Sequence, residues 1–551
     1  MNKEVTINFF LKNNFLINPE LFKELKEQDL DEFLSKLSEK IKDKNNLTII
    51  NKDIFKLILK TTKTPEINWN EFEKSRALLE KGKDEKIYKT FLDIINYHTS
   101  KEKKDFLDSL IEEIKQPAEQ ITESNDLEEE STIYPVMVLK SYNKPPQKKQ
   151  VQDFVGLYKQ RYHQLKKILL NRPELQTATS INRLHSKPRG EQVSIIGIVS
   201  DKMITKNNNI ALTLEDPTGK IKIMIMQKES IYEAAKDIVL DEVIGLKGNM
   251  GDKIVFTNKL FTPDILQTNE SKVTKEEIHA AFISDIHIGS KMFLKEEFLK
   301  FIKWLNMKTG NSQQKEIAKK VKYLFIVGDI VDGIGIYPNQ DEELYLKDIR
   351  EQYKEAAEYI SLIRKDIQII LCAGNHDALR ISEPQPNLDK DLTEDLYKLD
   401  NVTIVSNPSL INIASNKDFQ GINVLMYHGY SFDYYVANVE SIRNKGGYDR
   451  ADIIMKFLLQ KRHFAPTHTS TLFVADPEQD NLVIDKTPDV FCSGHVHTSS
   501  VSSYNNITLI CASCWQAKTP FQEKVGHNPE PGKVPILNLK TREVKIMNFV
   551  K

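Results

Sequence analysis

An aspartate and a histidine two residues apart close the apolar run Phe282-Ile283-Ser284-Asp285-Ile286-His287-Ile288-Gly289. Along a strand the side chains at i and i+2 share a face, so Asp285 and His287 can offer a carboxylate and an imidazole to one ion at the strand end. Alone, such a pair fits a solvated loop equally well. Four more segments repeat the arrangement. Tyr323–Val327 runs into Gly328-Asp329-Ile330-Val331-Asp332-Gly333, and Ile367–Cys372 into Gly374-Asn375-His376-Asp377. Ile422–Tyr427 runs into His428-Gly429, and Asp489–Cys492 into Gly494-His495-Val496-His497. Each segment taken singly is an ordinary turn or an isolated histidine. Five apolar runs that all end in carboxylate, amide or imidazole donors point instead to one convergent metal site. Oxygen and imidazole donors without thiolate suit manganese, iron or zinc, and a carboxylate can bridge two ions.

The order D-x-H, G-D-x-x-D, G-N-H-D, H-G and G-H-x-H resembles the calcineurin-like metallophosphoesterase superfamily, which includes the double-strand-break repair nucleases. That resemblance implies two divalent ions, manganese ahead of iron or zinc, acting together on a phosphoester. It makes Asp285, His287, Asp329 and His497 the ligands of one ion, and Asp329, Asn375, His428 and His495 those of the other, with Asp329 as the bridge. It sets His376 beside the scissile phosphate, to stabilise charge or to protonate the leaving oxygen, with Asp377 orienting it. Asp332 is expected behind the ligands rather than on an ion. Gly328, Gly374 and Gly494 are expected to allow the tight turns that bring the ligands inward.

Elements must hold these loops on one rim. From His279 onward the chain alternates apolar strand, polar loop and helix. The fold class expected is α/β and multidomain: a calcineurin-like phosphoesterase β-sandwich flanked by helices over 275–551, preceded by an OB-fold barrel and a small helical N-terminal domain. The barrel is expected over 191–268, where the apolar period becomes two and short runs such as Ile221, Ile223 and Ile225 are separated by turns. The Asp216-Pro217-Thr218-Gly219 turn resembles the connection between the second and third strands of an oligonucleotide-binding barrel. Residues 151–190 read as a connecting helix ending near Pro173, with basic Lys159, Arg161, Lys166 and Lys167 among its apolar positions. Residues 111–150, with the acidic run at 126–130 and a Pro-Pro step, read as a flexible linker containing one apolar patch, Ile133–Leu139, able to dock on a partner. Residues 1–110 read as a helical domain, with Leu30, Phe33, Leu34, Leu37 and Ile41 at helical spacing against Ile54, Phe55, Ile58 and Leu59.

With 551 residues, 77 basic against 78 acidic side chains and a net charge of −1, the molecule carries no large field to draw nucleic acid to it. Any DNA contact must come from a local patch, a partner or bound metal. The scarcity of cysteine, 4 in the chain, argues against a disulfide framework and fits a reducing compartment. Cys511 and Cys514 lack the second pair or histidines a zinc site needs, so two semi-buried thiols are expected. No apolar run is long enough to span a bilayer and no secretory signal opens the chain, which reads as cytoplasmic.

The module order, together with Arg462-His463-Phe464-Ala465-Pro466-Thr467, Trp515–Gln522 and Asn528-Pro529, resembles the small subunit of the archaeal family D DNA polymerase. That family implies a 3′→5′ proofreading exonuclease acting on DNA with a 3′ end beside a large catalytic polymerase subunit, in a heterodimer or larger assembly, and a scaffolding role. It also resembles the B-subunits of eukaryotic replicative polymerases, which have lost these ligands; here no ligand position departs from the active pattern. The alternative is a stand-alone metal-dependent phosphodiesterase or nucleotidase. Contact with a sliding clamp stays open, without a convincing clamp-binding box. His463 and His468 are expected to be surface or loop residues, and the segment around Trp515 to line either the DNA path or the large-subunit interface.

Overall fold

The computed structural model describes residues 134–266, 270–525 and 528–550, together with 15–17, 48–50 and 112. The chain divides into two compact units, Met1–Ser109 and Leu110–Lys551. In the first, β1 (Phe15–Ile17) pairs in parallel with β2 (Thr48–Ile50). The helical stripe expected between Leu30 and Leu59 lies outside the described residues, as does the acidic run at 126–130.

The second unit opens with β3 (Val136–Ser141), inside the stretch expected as linker and partner-docking patch. It docks within the chain, pairing antiparallel with a strand more than 260 residues away so that Val136 faces Ile413 and Ser141 faces Ser409. Its polar flanks suggested a linker; its apolar centre caps an otherwise open sheet edge. Helix α1 (Val151–Leu169) follows, burying Leu157, Tyr162, Leu165 and Leu169 along one face. That face packs on Ile196 and Val243 of the next module and on Val483.

Strands β4 (Gln192–Ile204), β5 (Ile210–Asp216), β6 (Gly219–Ile225), β7 (Val243–Met250) and β8 (Ile254–Phe261) close a barrel in the order β4-β5-β6-β8-β7. Alternation fills it: Ile210, Leu212 and Leu214 of β5 meet Ile221, Ile223 and Ile225 of β6 inside, while the residues between them reach solvent. The expected turn between these strands is tied by Asp216, whose Oδ1 accepts from Thr218 N at 2.7 Å and Gly219 N at 3.1 Å.

Two six-stranded sheets form the remainder. In the first, β9 (His279–Ile283), β10 (Val321–Val327), β11 (Gln368–Cys372) and β12 (Val402–Val405) run parallel. Antiparallel β18 (Lys533–Asn538) and β19 (Val544–Asn548) complete it in the order β12-β11-β10-β9-β18-β19. The second contains β13 (Ser409–Ile413), β14 (Ile422–Met426), β15 (Val490–Ser493), β16 (Ser500–Tyr504) and β17 (Ile507–Cys511), in the order β16-β17-β15-β14-β13-β3. Phe282, Phe325 and Ile370 of one sheet share a buried core with Ile411, Val424, Val490 and Ile510 of the other. The alternate residues Leu425, Phe491 and Leu509 point outward into a second core under helix α2 (Ala451–Lys461). Among the described residues no helix is long and apolar enough to cross a membrane.

Candidate metal centre

The five loops identified by sequence leave the C-terminal ends of β9, β10, β11, β14 and β15, which brings their side chains to one rim. The backbone pays for this convergence in strain. Asp285, His287, Asp329, His495 and His497 all hold left-handed φ values, at 50°, 54°, 49°, 72° and 58°, a conformation that costs a side-chain-bearing residue about 1–3 kcal/mol and collects at functional sites. Of the three glycines expected to permit turns, Gly328 has a positive φ of 85°. Gly374 and Gly494 serve another purpose: a Cβ on Gly374 would strike the Asp329 carboxylate, and one on Gly494 would strike Ser284 and Asp285.

Each of the two buried carboxylates is held by one oxygen and leaves the other in the cluster. Asp285 Oδ2 accepts from the His495 amide at 2.9 Å and from the Ser284 hydroxyl, while its buried Oδ1 has no hydrogen-bond partner. Asp329 Oδ1 accepts from the His376 amide at 2.8 Å, and its Oδ2 lies 3.3 Å from His428 Nε2 and 3.8 Å from His287 Nε2. Around Asp285 Oδ1 stand His497 Nε2 at 3.3 Å and His287 Nε2 at 3.9 Å, with 3.1 Å between the two ring nitrogens. On the other side of Asp329, the Asn375 amide oxygen lies 3.0 Å from His428 Nε2 and 3.0 Å from His495 Nδ1. Thus Asp285, His287 and His497 form one set, Asn375, His428 and His495 another, and Asp329 reaches into both.

The residues present fit a divalent cation. An ion bonded to nitrogen or oxygen at about 2.0–2.1 Å keeps neighbouring donors about 3.0–3.4 Å apart, and the short contacts here fall there. The orphaned Asp285 oxygen and the ring nitrogens directed at oxygen acceptors both call for positive charge between them. His428 Nδ1 donates to the Val327 carbonyl at 2.8 Å, which turns Nε2 toward Asp329 and Asn375. Without a cation a proton takes that place: burial alone would lower the His428 pKa, but Asp329 outweighs it and raises it to about 10. Burial works against ionisation of Asp285, and His497 outweighs that, holding its pKa at about 2.

Asp332 stands behind His287. Its Oδ1 accepts from His287 Nδ1 at 3.0 Å and from the Gln516 amide at 2.9 Å, and Gln340 donates to Oδ2 at 3.0 Å. Asp332, His287 and His376 also gather three ligand-type atoms, but these hydrogen bonds account for the Asp332 oxygens. His376 Nδ1 donates to the Asp332 backbone carbonyl at 2.8 Å, and its ring meets the His287 ring edge-on at 4.7 Å. The expectation that Asp377 orients His376 is therefore corrected. The buried Asp377 carboxylate turns away, accepting from Gly374 N at 2.8 Å and the Tyr353 hydroxyl at 3.1 Å. Burial first, and Asp329 next, push its pKa up to about 7. It ties the Asn375 loop to the helix bearing Tyr353, because a carboxylate this deep takes the nearest backbone donors.

Sequence reasoning missed several supports. Gln516 and Gln522 lie inside the Trp515–Gln522 segment, whose family resemblance does not reveal this role, and Gln340 opens a short 3-10 turn, Gln340–Glu342; Gln522 lies 2.9 Å from His497 Nδ1 and Asp433 3.1 Å from His495 Nε2. Burial sharpens three expectations. His463 is not a surface residue but 1% exposed, bonded to Asp480 at 3.0 Å, whereas His468 is exposed. Cys511 and Cys514 are fully buried rather than semi-buried. Within the segment around Trp515, the Trp515 side chain itself is 1% exposed, its ring 5.0 Å from Phe298 and 5.2 Å from Phe301, and it anchors the stretch carrying Gln516.

The sequence profile of the calcineurin-like phosphoesterase family matches residues 278–499. The chain is 40% identical over 391 residues to the DNA polymerase II small subunit of Methanothermobacter thermautotrophicus, covering 71% of this chain and 78% of that protein. It is 35% identical over 400 residues to the DNA polymerase II small subunit of Halobacterium salinarum, covering 72% and 75%. The protein of the same name from Methanocaldococcus jannaschii is 37% identical over 394 residues, with 71% of this chain and 64% of that one covered.

Proposed function

The chain belongs to the family of DNA polymerase II small subunits, with a calcineurin-like phosphoesterase domain, and on that premise we propose that it is a two-metal 3′→5′ exonuclease that proofreads for a large polymerase subunit and helps hold it. The observation that carries the proposal is the pair of buried carboxylates, Asp285 and Asp329, each pinned through one oxygen and open through the other toward imidazole nitrogens 3.3–3.9 Å away. A chain that kept only a scaffolding role would have no reason to retain so strained and unbalanced a cluster. Asp285, His287, Asp329 and His497 would hold one ion and Asp329, Asn375, His428 and His495 the other, with manganese the first choice and iron or zinc also suited to oxygen and imidazole donors. When bound, such ions supply Lewis acidity to the phosphoryl group and to the oxygens entering and leaving it.

The protein's own groups contribute position and protons. Asp332, braced by Gln340 and Gln516, fixes the His287 ring so that Nε2 faces the cluster. His376 commits Nδ1–H to the Asp332 carbonyl, and Nε2 makes no hydrogen bond with the described residues. That nitrogen is the group suited to stabilise charge on the scissile phosphate or to deliver a proton to the leaving 3′ oxygen. The barrel is read as an OB-fold module that, with the outer surface of the sandwich, contributes to holding the large subunit, and the relatives' name as small subunits supports such a partner.

The test is hydrolysis of a 3′-labelled primer by the wild type, Asp329→Ala and His376→Ala, with manganese binding followed by calorimetry. Asp329→Ala should lose both binding and hydrolysis. His376→Ala should keep binding and lose about 10²–10⁴-fold in rate. Equal residual activity in all three would assign the hydrolysis to a contaminant and defeat the proposal.

A further inference from the structure

Segment 176–183, with Lys166 of α1 and Thr218 of the β5–β6 turn, lines an open groove of about 700 Å³ that includes none of the metal-centre residues; Thr177, Ser180, Asn182 and Arg183 face it. Cations, hydroxyls and amides make up this lining with a single alanine, and no carboxylate takes part. Asp216, beside the lining Thr218, is already occupied: its Oδ1 accepts from Thr218 N at 2.7 Å and from the Thr218 hydroxyl at 2.6 Å, and its Oδ2 from Ile181 N at 3.0 Å. The surrounding segment departs from the charge balance of the whole chain. Between 159 and 189 stand Lys159, Arg161, Lys166, Lys167, Arg172, Arg183, Lys187 and Arg189 against the one acid Glu174. Arg161 is buried and paired with Asp480, and Lys187 pairs with Glu191. The other six reach solvent, and none forms an ion pair with a carboxylate among the described residues. Elsewhere pairing is mixed: Lys144, Lys272 and Lys295 meet acids, while exposed Lys206, Lys228 and Lys253 form no ion pair among the described residues. It is the clustering of unpaired cations with so few acids that sets this segment apart.

Lys166 and Lys167 sit in the last turn of α1, where they complement the helix dipole. That accounts for two cations but for neither Arg172 nor Arg183, nor for the hydroxyls between them. A protein-docking groove would present an apolar or aromatic centre, and this one has none. Unneutralised cations interleaved with hydroxyl and amide donors are the chemistry that grips a nucleic-acid backbone without reading its sequence.

We infer that this groove binds the phosphate backbone of DNA, with Lys166 and Arg183 as the charged contacts and Thr177 and Ser180 as neutral donors. It names the DNA-holding surface of the exonuclease proposed above and rests on that reading. It gives a chain of net charge −1 a local means of retaining DNA, on the flank of the barrel beside the β5–β6 turn.

The test uses the full chain and a fluorescently labelled primer–template, with anisotropy read over a series of salt concentrations. Lys166→Gln/Arg183→Gln should weaken binding about tenfold or more at low salt and make the slope of log K against log salt shallower by about 1–2, as expected for one or two lost phosphate contacts. Lys166→Arg/Arg183→Lys should bind as the wild type does. Hydrolysis of bis(4-nitrophenyl) phosphate, too small to span the groove, should be equal in all three. Unchanged affinity and slope in the glutamine variant would overturn the inference. So would unchanged DNA binding combined with lost co-purification of a large subunit, which would assign the groove to an acidic segment of that partner. A wild type that binds DNA through these residues but hydrolyses no diester would defeat the exonuclease reading and leave the groove standing.

Discussion

At the scale of single residues the centre depends on groups that touch no ion. Asp332 illustrates this: its carboxylate takes the His287 Nδ1 proton while two glutamine amides hold it still. Partners of this kind fix the tautomer and orientation of a liganding imidazole, and their loss commonly costs 10–100-fold in metal affinity. Asp332→Ala is therefore expected to weaken manganese binding by about that factor without abolishing it, measured by calorimetry; affinity equal to the wild type would show that His287 needs no such support. The proposed ligands themselves were legible because each follows an apolar run within a short motif. Asp377 was misread because proximity in sequence suggested a partnership with His376, whereas burial sent its carboxylate to the Gly374 amide and Tyr353. The roles of Gln516 and Gln340 were not legible, although Gln516 stands in the Trp515–Gln522 segment noted for its resemblance, since a neutral amide has no ligand chemistry of its own and, for Gln516, the partner Asp332 is distant in sequence.

Elements carry a second buried network, which locks α1 to the sandwich. Arg161 donates to Asp480 at 2.7 Å and to the Pro466 carbonyl at 2.6 Å, and His463 Nε2 donates to the same carboxylate oxygen at 3.0 Å. His463 Nδ1 accepts from the Ala465 amide at 3.0 Å. A second proton on the ring would meet an N–H, and burial followed by the positive Arg161 lowers the His463 pKa from 6.5 to about 4, although Asp480 opposes the shift. Because the folded pKa is depressed, the unfolded chain binds the extra proton first. The contribution is complete above the unfolded value and is lost as pH falls from about 6.5 to 4, amounting to roughly 3 kcal/mol. Asp480, held well below the usual carboxylate range against its burial by Arg161 and then His463, loses its contribution only at lower pH. Urea unfolding between pH 7 and 4 should therefore be steeper in pH for the wild type than for His463→Gln; parallel curves would remove His463 from the account. The stripe on α1 and the alternation in the barrel were readable as periods of 3.6 and 2. The Arg161–Asp480 lock was not, because 319 residues separate its members and a basic residue on a helix reads as solvated until its partner is known.

For the molecule as a whole, the boundary between linker and domain is where composition misleads most. The flanks of β3 are acidic or proline-rich, yet the strand pairs along β13, whose five residues are all buried. Around it, Lys140 Nζ donates to the Val483 carbonyl at 3.0 Å and the Tyr142 amide to Ser406 Oγ at 2.7 Å. The sandwich thus begins well before the barrel in sequence, and the chain leaves it, builds α1 and the barrel, and returns at β9. A chain starting at Leu110 retains every one of these contacts, whereas one starting at Asn143 loses the strand and leaves β13 as a bare edge. Each backbone hydrogen bond is worth about 0.5–1.5 kcal/mol net, and an uncovered apolar edge invites pairing between molecules. The shorter chain is expected to unfold at least roughly 3 kcal/mol more easily in urea and to aggregate on concentration, while the longer one matches the full chain in both respects. Equal stability of the two truncations would show that β3 is an ornament of the sandwich; a difference would make this early strand part of the platform on which the metal-binding loops are built.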